Sequence, residues 1–560
     1  MSRKDYPGAR LLSQGAPQLG RLPERMAAAY ADRTALVMRR GPELSRWTFD
    51  DLAARVNGMV ARLEAEGVRA GDRVALMGDN SPEWILAFLA IVTLGAIAVP
   101  LDTQLTPEEL ARIFAHAEPT CAFVGARLLS TFPPGRTLIP LAPEEFLTQA
   151  AAFASPALPD DVAALLYTSG TSGNPKGVAL THRNLWADAL GCAEVLYVKP
   201  EDVSLCLLPL HHAYSLTCAL VALASGISLA FTPSLKPDSI LKTLHDAKVT
   251  AIPAVPLVLD HLARGIEDRI AELPKTRQWI ARGLIGLGRR LRPLLGAHVA
   301  RWVCAPIVRP FGRLRGLIVG GAPLNPASAG FFHALGLTVL HGYGLTETSP
   351  VVALTPSPWR PGDGVGAPLR GVEVCIHDPA DDGIGEIWVR GPNVMAGYFR
   401  NPEATAHALK DGWLRTGDLG RRDARGYLHI LGRSKDIVVL PNGKNVYPDE
   451  LEQHYGRGEA IAEICVVPAQ GPDGAEYPLG VIVPDPAALD RLLGPGRSAE
   501  AVRDLLSEEI KRLSTGLADY KRLKRFEVQD APLPRNNARK VLRHAVRSAL
   551  EAARAHQAPR

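Results

Sequence analysis

The sequence predicts an α/β fold: a large N-terminal domain of layered, mostly parallel sheets, followed by a small α+β domain. Three observations carry that expectation. Short apolar runs alternate with helix-like segments from about residue 30 to 430, the pattern of strands joined by crossover helices. A chain of 560 residues exceeds what one core accommodates. Beyond Thr416-Gly417-Asp418 the pattern changes, and short strands, a turn and helices follow closely on one another.

The elements follow in order. Arg73 to Met77 reads as a buried strand. Trp84 to Leu101 carries no charge and is about long enough to span a bilayer. Gly95 and Pro100 interrupt it, so a buried helix, a tight turn and a strand at Ile97-Ala98-Val99 are expected instead. Leu216 to Phe231, broken at Gly226, has the same shape. Val162 to Leu166, Val178 to Leu180, Val203 to Leu208 and Leu314 to Val319 read as further strands, and Gly426 to Gly432 as a closing one. Arg433 to Asp436 interrupts the pattern. A strand at Ile437 to Leu440, a turn at Pro441-Asn442-Gly443 and a helix from about Pro448 follow. Strands near Ile464 to Val467 and Val481 to Val483, then a helix over Ser498 to Leu513, complete the smaller unit.

Composition excludes several classes. Hydrophobic residues make up 47% and charged residues 22%, ordinary for a globular protein, and no short-period repeat is visible. The 7 cysteines are scattered and odd in number, which fits a reducing compartment and argues against a disulfide framework or a zinc site. Met1 to Pro17 has basic residues but no apolar stretch, so it does not read as a secretory signal. Net charge is +5, yet arginines crowd between Arg269 and Arg315, where no acid follows Glu272. Apolar residues such as Trp279, Ile280, Leu287, Leu294 and Trp302 are interleaved with them. That pattern suits basic amphipathic helices on an anionic membrane surface, centred on Arg277 to Arg301, or else a solvated face over the core. No nucleic-acid recognition motif accompanies the charge, so no nucleic-acid partner is expected.

The most specific stretch is Tyr167-Thr168-Ser169-Gly170-Thr171-Ser172-Gly173-Asn174-Pro175-Lys176-Gly177. A buried strand opens into a loop rich in glycine and hydroxyls. Glycines let backbone N–H groups approach an anion closely, hydroxyls add donors, and Lys176 adds a point charge. Such a loop suits a polyphosphate. It differs from the common nucleotide-hydrolase loop, in which the lysine precedes Ser/Thr and opens a helix. Further along stand Gly320-Gly321-Ala322-Pro323, Gly342-Tyr343-Gly344-Leu345-Thr346-Glu347-Thr348, Thr416-Gly417-Asp418, Gly432-Arg433-Ser434-Lys435-Asp436, and Leu533-Pro534-Arg535 leading to Lys540.

That ordered set, over roughly residues 25 to 548, resembles the adenylate-forming (AMP-binding) superfamily, which includes acyl-CoA synthetases, peptide-synthetase adenylation domains and beetle luciferases. The resemblance implies a domain of residues 1–434 that binds ATP and the acyl substrate, and a mobile cap of residues 435–560 hinged at Lys435. It implies two half-reactions: a carboxylate attacks the α-phosphate of ATP and releases pyrophosphate, then a thiol attacks the acyl adenylate and releases AMP. The first step brings one anion onto another, so the site must supply positive charge and positioning.

By resemblance, Thr168, Ser169, Gly170, Thr171, Ser172, Gly173 and Lys176 hold the β- and γ-phosphates. Thr346 donates to the α-phosphate and Glu347 is the magnesium-associated carboxylate. The lesser reading of Glu347 is an acid supporting a helix first turn. Tyr343, between Gly342 and Gly344, offers a face to adenine, with Gly320, Gly321 and Ala322 as the opposite wall. Asp418 accepts from the ribose, with Arg433 alongside. Lys540 is the implied catalytic lysine, although Arg539 stands where relatives usually carry glycine. Arg535 and Arg543 read as solvated cations nearby. After the cap rotates, Gly443 and Lys444 border the tunnel for the pantetheine of coenzyme A.

His211-His212-Ala213-Tyr214 resembles a family element in which His212 lies beside the acyl tunnel. Adjacent side chains on a strand point opposite ways, which disfavours a metal shared by the two histidines. No amino-group-binding aspartate stands out, and the basic segment is similar to that of long-chain fatty acyl-CoA synthetases. The resemblance therefore implies a long-chain fatty acid–CoA ligase using ATP, magnesium and coenzyme A, placed in the cytoplasm or peripherally at the inner membrane face. Two alternatives stand beside it: a fatty acyl-AMP ligase that passes the acyl group to the phosphopantetheine of an acyl carrier protein, and a catalytically weak acyl-nucleotide binding protein.

Overall fold

The computed structural model describes residues 6–41, 43–132, 137–146, 150, 152–168, 175–196, 198–356, 364–441, 444–471, 476–535 and 541–557. Contacts group the chain into two compact units. The first comprises Met1–Cys375, Trp388–Thr416 and Asp423–Leu428; the second comprises Ile376–Ile387, Gly417–Arg422 and His429–Arg560.

Two large sheets organise the first unit. In the nine-stranded sheet, Thr34–Arg40, Ser228–Phe231, Val203–Leu205, Ala251–Ala254, Gly316–Val319 and Thr338–Gly344 run parallel, with antiparallel strands at both edges. In the seven-stranded sheet, Thr137–Pro140, Cys121–Val124, Arg73–Met77, Ile97–Leu101 and Val162–Thr168 run parallel. Lys176–Thr181 then returns antiparallel to Val162–Thr168, and Gly397–Tyr398 closes the edge. The Val203 strand stops at Leu205, earlier than expected, because the chain turns away toward the helix Ala213–Ala224.

The uncharged Trp84 to Leu101 segment shows why local punctuation outweighs length. Ser81 accepts the Trp84 N–H, Pro82 occupies the first turn, and Gly95 ends the helix in the left-handed region at φ 81°. Every residue of Pro82–Leu94 is buried, and its side chains share one core with Leu36 and Phe231 of one sheet and Val74 and Leu76 of the other. Each large side chain so buried contributes roughly 1.5–3 kcal/mol. No helix among the described residues is long and apolar enough to cross a membrane.

The second unit has its own core. Ile461–Gln470 pairs antiparallel with Glu476–Pro484, which pairs parallel with Phe526–Val528. Helices Pro448–Tyr455 and Ala499–Leu513 bury Leu451, Tyr455, Leu506 and Ile510 in that core. Ser498 caps the longer helix by accepting the Ala501 N–H.

The expectation that Arg535 and Arg543 are solvated fails. Arg535 pairs with Glu463 at 3.0 Å. Arg543 opens the helix Arg543–Gln557, and its side chain is only 16% exposed. It donates to Asp436 at 2.8 Å, to Glu452 at 2.8 Å, to the Val466 carbonyl at 3.0 Å and to Asp449. Burial alone would lower its pKa, but Glu452 and Asp449 hold it above its ordinary value. Burial likewise pushes Glu452 up to about 7, against the attraction of Arg543. Three carboxylates from residues 436 to 452 converge on a cation that lies more than 90 residues further along the chain, and nothing local in the sequence marks them as partners.

Candidate active site

In the first unit the candidate residues lie beyond the carboxyl ends of parallel strands, where open α/β sheets place ligands. Thr168 ends its strand and faces Lys176 across the hairpin. Ser169, Gly170, Thr171, Ser172, Gly173 and Asn174, which join the two, lie outside the described residues.

Lys176 and Glu347 meet through a residue that sequence reasoning missed. The Gly397–Tyr398 strand pairs with the hairpin strand at Ala179 and Val178. This pairing sets the Tyr398 ring 5.2 Å from the Lys176 ammonium. The Tyr398 hydroxyl donates to Glu347 Oε1 at 2.9 Å. The Glu347 carbonyl in turn accepts the Met395 N–H at 2.9 Å. A cation, an aromatic hydroxyl and a carboxylate thus stand in one row beside the hairpin of Val162–Thr168 and Lys176–Thr181. The only sequence signal for Tyr398 was a Gly-Tyr pair before Pro402, which is too common to single out.

Thr346 and Glu347 lie in a short turn, Thr346–Thr348, rather than in a longer helix. The turn is held from several sides. Asn393, fully buried, donates to the Thr348 and Val351 carbonyls at 3.0 and 2.9 Å. Thr217 donates to the Ser349 carbonyl at 2.9 Å, and Asp188 accepts the Val351 N–H at 2.9 Å. Burial pushes the Asp188 carboxyl well above the usual range. Gly344 is sterically required, because a Cβ there would sit 1.6 Å from the Pro350 carbonyl oxygen.

The adenine-side candidates are neighbours. Val319 pairs with His341 across the parallel strands, so Gly320, Gly321 and Ala322 leave one strand beside Gly342, Tyr343 and Gly344 of the next. Gly321 adopts φ 85°, which favours glycine. The buried His341 ring hydrogen-bonds the backbone of Ala322 and Gly364, and burial lowers its pKa to about 4. Its neutral form is therefore favoured in the fold. An unfolded chain protonates it near 6.5, so its contribution is complete above that pH and is lost as pH falls toward 4. Replacing His341 by glutamine should flatten the stability loss between those values by up to about 3 kcal/mol. Urea unfolding at stepped pH reads this; parallel losses in both proteins would contradict it.

His211 and His212 do not lie on a strand. His212 is the residue before the helix Ala213–Ala224, and the two rings sit 4.2 Å apart. His211 Nε2 lies 3.6 Å from Asp102 Oδ2. Burial, then the neighbouring His212, lowers the His211 pKa to about 3, and burial lowers that of His212. The Tyr214 hydroxyl donates to the Ile318 carbonyl at 2.8 Å, which ties this helix start to the strand bearing Gly320. No group of three or more His, Cys, Asp or Glu side chains among the described residues is arranged to hold a metal ion. Magnesium keeps most of its waters and needs few protein ligands, so the single half-buried Glu347 carboxylate suits it as companion to a bound nucleotide.

The second unit holds the other candidates. Asp418 is buried and pairs with Arg433, Oδ1 to Nε, at 2.8 Å. Lys435 is exposed in the turn Ser434–Asp436. Lys444 is exposed, its ammonium 4.5 Å from the Tyr520 ring centre. Gly443, Arg539 and Lys540 lie outside the described residues.

A description of AMP-binding enzymes matches residues 23–399. The chain belongs to the AMP-binding enzyme family. This adenylate-forming enzyme is 31% identical over 552 residues to feruloyl-CoA synthase of Amycolatopsis sp, covering 94% of this chain and 98% of that one. It is 33% identical over 459 residues to the long-chain-fatty-acid–CoA ligase FadD15 of Mycobacterium bovis, covering 75% of each. It is 28% identical to the chloroplastic long-chain-fatty-acid–[acyl-carrier-protein] ligase AEE15 of Arabidopsis thaliana, covering 87% of this chain and 78% of that one. Among solved structures, ATP-bound MatB from Rhodopseudomonas palustris superposes with a TM-score of 0.76 at 30% identity, covering 95% and 98%. MenE from Bacillus subtilis in complex with ATP and magnesium gives 0.73 at 26%, covering 94% and 99%. A Mycobacterium tuberculosis fatty acyl CoA synthetase gives 0.67 at 26%, covering 96% and 99%. The large N-terminal unit of parallel sheets and the smaller C-terminal unit are the architecture of these enzymes, and ATP with magnesium is their currency.

The Tyr398 bridge has a testable consequence. Tyr398→Phe keeps the ring near Lys176 and removes only the hydroxyl that reaches Glu347. A hydrogen bond to a charged group contributes about 1.5–3 kcal/mol, so kcat/KM for ATP should fall about tenfold to a hundredfold. The magnesium concentration for half-maximal rate should rise. Pyrophosphate exchange at graded magnesium measures both, and an unchanged magnesium dependence would remove the bridge from the chemistry.

Proposed function

We propose that this acid–CoA ligase activates a long-chain fatty acid to acyl-AMP and transfers it to coenzyme A, releasing AMP and pyrophosphate. The observation that carries the first half is the row Lys176, Tyr398 and Glu347 beside the phosphate-loop hairpin. Lys176 offsets the charge of the nucleotide tail, Thr346 donates to the α-phosphate, and Glu347 orients the magnesium that neutralises the phosphates. Residues 169–173 cradle the β- and γ-phosphates. Tyr343 stacks on adenine against Gly320 to Ala322, and Asp418 with Arg433 takes the ribose. Lys540 supplies the mobile cation for adenylation, and a boundary at residues 434 and 435 lets Lys435 act as the hinge. Gly443 and Lys444 then serve the coenzyme A half.

The chain-length reading draws on the similarity to FadD15 and on the apolar, arginine-rich segment before Leu314. The two neutral histidines, His211 and His212, place no charge beside the acyl group, which suits an uncharged tail. The similarity to AEE15 supports a second reading, in which an acyl carrier protein receives the acyl group. The proposed location is the cytoplasm, at the inner face of its membrane. An AMP-release screen over carboxylic acids of graded length tests the proposal, with coenzyme A and carrier protein offered in parallel. Preference for long chains with coenzyme A is the expected result. Preference for aromatic or short acids would replace the substrate, and turnover only with carrier protein would replace the acceptor. Tight acyl-AMP binding without pyrophosphate exchange would mark a binding protein instead.

A further inference from the structure

The arginine-rich segment folds as helices Lys275–Leu295 and Ala297–Val303, which pack against each other. The longer helix is oriented in an uncommon way. It meets the rest of the unit through Ala281, Ile285 and Gly288, where a Cβ added at Gly288 would lie 2.3 Å from the Ala334 carbonyl oxygen. Arg292, on the same side, donates to the His333 and Leu337 carbonyls at 2.7 Å each. Two small residues, Ile285 and an arginine anchored through one nitrogen thus face inward.

Most of the large apolar residues face outward. Trp279 is 79% exposed, Leu287 44% and Leu294 79%, and their spacing puts them on one stripe of the helix. Ile280 borders that stripe, and Trp302 of the next helix is also 79% exposed. Helical spacing sets Arg290 within the stripe and Arg282 and Arg289 along its edge. No acidic residue occurs between Leu273 and Arg315, and the acid that acts on Arg282 is Glu267 of the preceding helix. Trp302, with Arg301 and Arg309, also lines an open cavity of about 610 Å³. A helix that turned tryptophan and leucine toward water for no gain would be an aggregation hazard. Outward aromatic and aliphatic anchors on a helix with arginines and no acid of its own match an anionic lipid interface, where indole sits at headgroup depth and arginine meets phosphate.

We infer that the outer face of Lys275–Leu295, with Trp302, docks this enzyme on an anionic lipid bilayer. The apolar stripe enters the headgroup boundary, and Arg282, Arg289 and Arg290 bind the lipid phosphates. The test needs no substrate, so it stands or falls separately from the proposed ligase activity. Full-length protein is sedimented with vesicles of phosphatidylcholine alone and mixed with phosphatidylglycerol. Binding to the mixed vesicles only, weakening steeply with salt, is the expected result. A Trp279→Ser, Trp302→Ser pair should reduce that binding roughly tenfold, and neutralising Arg282, Arg289 and Arg290 with glutamine roughly a hundredfold. Equal binding to neutral vesicles, salt-insensitive binding, or variants that bind like the parent would each overturn the inference. Variants that change only the protein's self-association in sedimentation velocity would overturn it too, by making a second copy the occupant. None of these five residues belongs to the nucleotide site, so AMP release with a short, water-soluble acid reports whether a variant is folded.

Discussion

Replacing Lys540 by alanine should slow acyl-adenylate formation about a hundredfold to a thousandfold, the loss seen when one preorganised donor is taken from a developing charge. Thioester formation from supplied acyl-AMP should fall far less. The asymmetry follows from when charge is densest. A carboxylate closing on an α-phosphate accumulates negative charge that a positioned ammonium stabilises only in that transition state. When a thiol attacks acyl-AMP, pyrophosphate has already left, the new bond forms at the acyl carbon and AMP departs, so no carboxylate closes on a phosphate. Single-turnover measurements of the two halves separate them, and equal losses would remove Lys540 from its assigned role. The neighbouring Arg539, where relatives usually carry glycine, makes Arg539→Gly the informative companion. A faster adenylation step in that variant would show that the side chain restrains the segment.

The second large effect is expected from Arg543→Met. Methionine conserves bulk and removes the cation, leaving Asp436, Asp449 and Glu452 without their shared partner. Breaking a buried charge network by deleting one member costs about 3–5 kcal/mol. The second unit should therefore unfold at lower urea concentration than in the parent. The deficit should shrink as pH falls toward about 7, because Arg543 lowers the Glu452 pKa in the parent and its loss lets Glu452 take up a proton at higher pH in the variant. Arg543→Lys should recover part of the loss, since it restores charge but not the fork that reaches three carboxylates and a carbonyl. A methionine variant within 1 kcal/mol of the parent, at a value typical of surface changes, would show the network to be a solvated one after all. Asp436 follows Lys435 directly and Arg543 follows Lys540 by three residues. The same network thus joins the proposed hinge to the segment carrying the proposed catalytic lysine.

Much of the first unit was legible in the sequence. Ser81, Pro82 and Gly95 bracket the apolar helix by local rules alone, so a segment long enough to span a membrane reads correctly as helix, turn and strand. The strands Val162–Thr168 and Lys176–Thr181 were equally plain, because two apolar runs separated by glycines read as two strands. The arginine-rich helices were visible as helices, but not the direction they face. An amphipathic pattern ordinarily turns its apolar stripe inward, and only the close approach of Gly288 to Ala334 and the burial of Ala281 and Ile285 show that here a different face does so. His211 and His212 were misread for a related reason. Alternation holds on a strand, but the chain leaves the sheet at Leu205, and a turn brings both rings to the same side.

What the sequence determined by itself are properties that neighbouring residues settle among themselves: the alternation of strand and helix, the caps, the glycines, and the order of motifs that marks an adenylate-forming enzyme. What only the tertiary structure decided are meetings between distant segments. Tyr398 reaches Glu347 because an edge strand pairs with the strand Lys176–Thr181, and Arg543 finds three carboxylates because a terminal helix docks beside them. Such contacts depend on how whole sheets and helices pack, and packing is set by the sum of many burial energies rather than by any residue near the ones that touch.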